Sequence, residues 1–142
     1  MVAYVSMEGG GTPGTPAPPD GEIPASTAPE ACDQTHPRIG QIAELQTFFH
    51  DVQGTAQIID DCTVEIRDFV FDGTGINVQI YGGLGGNYDL DISMSENLLL
   101  PGGYDGETIY ASLPSGTTWD DVDGVSVWCV PVGIDFGSGQ FR

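Results

Sequence analysis

From Gly54 to the C-terminus, apolar side chains recur at every second position, and this alternation constrains the fold more than any other property of the 142 residues. In an extended strand successive side chains leave opposite faces, so a period of two sends one set inward and the other to solvent. After a short strand over Thr55–Asp60, Cys62, Val64 and Ile66 alternate with Thr63, Glu65 and Arg67. The apolar phase then moves by one residue to Phe69 and Phe71, the signature of a β-bulge near Asp68. Ile76, Val78 and Ile80 continue the alternation, followed by Tyr88, Leu90, Ile92 and Met94, by Ile109, Ala111 and Leu113, and by Val125, Val127 and Cys129. A last strand is expected between Val132 and Phe141. Asp72-Gly73-Thr74-Gly75, Gly82 to Asn87, Pro101-Gly102-Gly103 and Pro114-Ser115-Gly116 supply the turns. Residues 50–142 therefore read as an all-β domain, a small β-sandwich or barrel of about seven or eight short antiparallel strands.

The N-terminal quarter has a different composition. Residues 8–31 hold most of the 10 prolines and almost no large apolar side chains, so they cannot bury enough surface to offset chain entropy. Residues 1–37 are expected to form a disordered, Pro/Gly-rich tether. Residues 38–49 carry Ile39, Ile42, Ala43 and Leu45 at rough helical spacing, which predicts a short helix or turn docking on the domain.

Twenty-one acidic residues face three arginines and no lysine, giving a net charge of −18. Phosphate backbones are bound through clustered Lys and Arg, so nucleic acid and anionic membrane surfaces are poor partners. Cations or basic proteins fit better, although acidity also serves solubility. No run approaches the roughly 20 apolar residues of a membrane span, and the first residues lack the basic-then-apolar pattern of a signal peptide.

Strand phase places Cys62 with Val64 and Ile66, and Cys129 with Val125 and Val127, so both sulfurs are expected on the inner face. Three readings are open: a structural disulfide between Cys62 and Cys129, two buried free thiols, or a redox-active or cofactor-bound cysteine. A crosslink would point to an extracytoplasmic compartment. Cys32 is then the odd cysteine, free or linking two copies of the chain. No C-x-x-C or C-x-x-C-H run occurs, which excludes a rubredoxin or zinc-ribbon site and covalent c-type haem.

Six runs in order resemble one known family: HDVQGTA at His50, DCTVEIRDFVFDGTG at Asp61, YDGETI at Tyr104, LPSGTT at Leu113, DGVSVWCVP at Asp123 and DFGSGQF at Asp135. Together, over about residues 47–142, they look like the DM-thirteen domain. The resemblance implies a β-sandwich-like extracytoplasmic domain, found in secreted and cell-surface proteins, with a proposed role in electron transfer. It implies a redox role for the cysteine of the W-C pair, here Cys129, acting as a thiol or through a group such as non-covalent haem. Cys62 matches the family's earlier cysteine. The partner implied is a redox domain. The alternative is a surface interaction or structural module with an inert disulfide.

His50 opens the family-like H-x-V-x-G run and is a candidate haem or metal ligand, or a hydrogen-bonding residue at the entry to the first strand. Asp120, Asp121 and Asp123 form the best candidate calcium loop, without an EF-hand pattern. Trp119, Trp128, Tyr81, Tyr88 and Tyr104 are candidates for an aromatic sugar-binding face or for ordinary packing. Met94 reads as core filler. No catalytic residue is assigned.

Overall fold

In a computed structural model, which describes residues 26–142, nine strands form two antiparallel sheets packed face to face. The strands are β1 (Ile42–Glu44), β2 (Gln46–Thr47), β3 (Gln53–Ile58), β4 (Thr63–Phe71), β5 (Val78–Leu84), β6 (Asn87–Ser93), β7 (Tyr104–Ser112), β8 (Gly124–Cys129) and β9 (Ile134–Gln140). One sheet has the order β1-β3-β4-β7 and the other β2-β9-β8-β5-β6. The all-β sandwich expected from the alternation is the fold observed. The expected tether over residues 1–25 lies outside the described residues, and no helix among the described residues is long and apolar enough to cross a membrane.

The bulge falls where the phase shift puts it. Asp68 has φ 53°, and the β4–β7 register breaks between Ile66 and Phe69, so Val64, Ile66, Phe69 and Phe71 all reach the core despite their uneven spacing. Several readings need correction. Ile76 is exposed, because it lies in the connection before β5 and not in the strand. Residues 38–49 contain no helix: a turn at 37–40 leads into β1 and β2, which pair with β3 and β9 and belong one to each sheet. Ala43 and Leu45 are buried as strand residues, since a two-residue spacing serves a strand as well as it serves part of a helix turn. In β6, Leu90 is exposed and Ile92 half-buried, because Asp91 at φ 61° interrupts the alternation in an edge strand. Tyr88 leaves that strand on the outer side of its sheet.

There Tyr88 packs with Tyr81 and Trp128 in a small cluster separate from the main core. Two glycines make room for it. A Cβ on Gly83 would sit 2.4 Å from the Tyr88 ring, and one on Gly124 would sit 2.7 Å from its hydroxyl. Burial pushes the Tyr88 phenol up to about 12. Trp119 and Tyr104 lie instead in the main core, so the five candidate aromatics do not share one face.

Candidate functional site

The connection between β3 and β4 gathers the most polar contacts around sulfur. Cys32 and Cys62 form a disulfide, with Cα atoms 5.9 Å apart. Both residues are half-buried. Beneath the bond lies Asp60, a carboxylate only 3% exposed, whose two oxygens accept from the backbone N–H of Cys32 (3.2 Å) and of Cys62 (3.0 Å). One side chain thus registers both cysteines, as expected of a buried polar group.

Asp61 holds the arm that carries Cys32. Its carboxylate accepts from Thr35 N at 2.8 Å, Thr35 Oγ1 at 2.6 Å and His36 N at 2.8 Å, while its own N–H donates to Asp33 O. The Thr35 hydroxyl and then the two backbone donors hold the Asp61 carboxyl below its ordinary value. The arm also reaches the segment between β7 and β8: His36 Nε2 lies 3.1 Å from Asp120, and Arg38 Nη1 donates to Val122 O. Trp119, fully buried in that segment, donates its indole N–H to Asp60 O at 2.9 Å. Residues 32–38, expected to belong largely to a tether, are therefore docked on the domain.

The expected Cys62–Cys129 disulfide does not form, and the expected link between two copies through Cys32 is replaced by a bond within the chain. Cys62 precedes β4, whereas Cys129 ends β8 beside Val78, the first residue of β5. The β4–β5 connection joins Phe71 to Val78, so Cys62 and Cys129 occupy opposite ends of the sandwich, on the order of 20 Å apart at the rise of a β-strand. A disulfide requires Cα atoms within about 7 Å. Periodicity assigned Cys129 correctly to the inner face, where it is a free thiol 3% exposed among the core side chains. Cys62 is not enclosed with it.

His50 stands at the Cys129 end. It and Asp51 have φ 59° and 63°, which turns the imidazole back over Phe136 with ring centroids 4.2 Å apart. Nδ1 lies 2.8 Å from Asp72 Oδ2 and 3.1 Å from Thr74 Oγ1, leaving Nε2 as the atom available to a ligand. Burial raises the Asp72 carboxyl, but hydrogen bonds from Thr74 and then His50 outweigh this and hold it below its ordinary value.

The three carboxylates of the candidate calcium loop diverge. Asp120 meets His36, Asp121 accepts from Thr118 N, and Asp123 accepts from Gly85 N. Among the described residues, the group of metal-ligating side chains that does converge is Cys32, Asp60 and Cys62. Sequence reasoning named Cys32 only as an odd cysteine and Asp60-Asp61 only as a carboxylate pair, and did not bring either to Cys62. The Asp60-Asp61 pair, two acceptors directly before a cysteine, was the available signal.

The family profile described as Electron transfer DM13 matches residues 44–141, so Cys62, Cys129 and His50 lie inside the match and Cys32 outside it. The chain is 26% identical over 111 residues to a cytochrome b561, DM13 and DOMON domain-containing protein of Arabidopsis thaliana. That alignment covers 76% of this chain and 12% of the relative, so the chain spans a small part of the curated protein it matches. No solved structure matches. The ordered motifs, the two-sheet sandwich and the profile agree over most of the sequence: the chain belongs to the Electron transfer DM13 family.

Proposed function

We propose that the chain is an extracytoplasmic electron-transfer domain whose exchangeable group is the Cys32–Cys62 pair. The observation that carries this reading is the contrast in access: the pair is half-exposed and already joined, whereas Cys129 is buried with no second sulfur beside it. Thiol–disulfide exchange and outer-sphere transfer both need approach of a partner, and the surface pair permits it. Reduction breaks the S–S bond and forms two thiols: a reduced dithiol partner supplies both electrons and both hydrogens, whereas haem partners supply two electrons in two one-electron steps and solvent supplies the two protons. The cytochrome b561 and DOMON domains named for the Arabidopsis relative support a redox domain as that partner. The acid-rich surface favours one with a basic docking face. Cys129 is then a packing residue.

A second reading, an interaction module stapled by an inert disulfide, is favoured by the separate hydrogen bonds that Asp61 and Arg38 make to hold the arm. Equilibrating the folded chain with dithiol buffers separates the two. The electron-transfer reading expects the pair to open at a potential above about −300 mV while the sandwich stays folded. A pair that stays closed below that value is a staple.

A further inference from the structure

We propose that the reduced pair, together with Asp60, binds one thiophilic divalent cation of the Zn2+ and Cd2+ class. This rests on the reading of Cys32–Cys62 as a couple that opens in the folded chain. The donor atoms of Cys32, Asp60 and Cys62 all lie within 4.8 Å of one another. Two thiolates and a carboxylate form a borderline-soft set suited to these ions and poorly matched to Ca2+ or Mg2+, which take all-oxygen shells.

The geometry around the sulfurs suits a site that exists in only one redox state. In a tetrahedral site with Zn–S near 2.3 Å the two sulfurs stand about 3.8 Å apart, so the ion can enter only after the S–S bond has broken. Asp60 is fixed from three sides, by the two cysteine N–H groups at its oxygens and by the Trp119 indole at its carbonyl. Each carboxylate oxygen uses one lone pair on an amide and retains another for a metal. With the bond open, two thiolates beside the buried Asp60 carboxylate would crowd three negative charges, two of which a divalent ion offsets. The arm can follow the movement, because Asp33, Thr35 and His36 bond to Asp61 rather than to Asp60.

The step balances. A dithiol reagent leaves as its cyclic disulfide and gives its two hydrogens to Cys32 and Cys62. The cation then displaces two protons to solvent.

The test begins with thiol counting on the dithiothreitol-treated, still folded chain, followed by anaerobic titration with Cd2+ alone, read by thiolate-to-cadmium absorption in the ultraviolet. One ion per reduced chain is expected and none per oxidised chain. Cys32→Ser or Cys62→Ser should abolish the band, Asp60→Asn should weaken binding about tenfold or more, and Cys129→Ala should leave it unchanged. The serine variants keep the test decisive if Asp60→Asn fails to fold. A pair that opens but gives no stoichiometric band, or a band that survives Cys32→Ser, overturns the cation site and leaves the redox reading intact. A pair that stays closed until the chain unfolds overturns both.

Discussion

The two ends of this sandwich hold sulfur in opposite ways. At the arm, Cys32 and Cys62 sit among carboxylates and backbone donors, half-exposed and crosslinked. At the far end Cys129 closes β8, a strand buried along its whole length, where Val127 precedes it in the core and Trp128 covers the outer face. One cysteine environment is built from polar contacts that can rearrange individually. The other is built from packing, in which every neighbour must move at once. On the proposed reading, access to a partner and not place in a family motif selects which cysteine exchanges electrons.

The comparison can be broken most forcefully at the arm. Replacing both Cys32 and Cys62 by Ser removes a crosslink spanning a sequence separation of 30 residues, and the chain-entropy relation puts the loss at up to about 3.6 kcal/mol. Urea melts should show a lower midpoint. A midpoint within error of the parent would mean that the hydrogen bonds to Asp61 hold the arm unaided.

Cys129→Ser tests the other end with a smaller expected loss, about 1–3 kcal/mol, because a hydroxyl would be buried among apolar side chains. In the parent, the Cys129 thiol should resist a maleimide until denaturant is added. Rapid native labelling would remove the contrast in access on which the comparison stands.

The smallest effect is in acid. The Asp61 carboxyl is held below its ordinary value in the folded chain, so its contribution is present above the unfolded value near 3.9 and lost as pH falls through the folded one. Hydrogen exchange at Thr35 and His36 should accelerate selectively below about pH 4. Asp61→Asn should bring the same acceleration at neutral pH. Uniform exchange across arm and sheets would mean that the two regions melt together.

Much of the sandwich was legible because period-two patterning is local. The Asp68 bulge, the inward set of β4 and the burial of Val125, Val127 and Cys129 follow from residues adjacent in sequence. Pairing across the chain was not legible in this way. Phase says which side a cysteine faces but not which sulfur lies opposite, and Cys32 was hidden in a proline-rich segment whose docking depends on Asp60 and Asp61 far along the chain. His50 was visible as a candidate ligand, yet its left-handed backbone and its bond to Asp72 required the loop after β4 to fold back.

The Cys32–Cys62 bond also has a mechanical consequence. A pull applied upstream of Cys32 passes through the crosslink to Cys62 and into β4, an inner strand bonded on both sides by β3 and β7. The intervening segment, including β1, β2 and β3, is bypassed by the load. Once the bond is reduced, the same pull reaches β1, a three-residue edge strand that can peel from β3 one pair at a time. Reduction would thus change the order in which the domain yields to force.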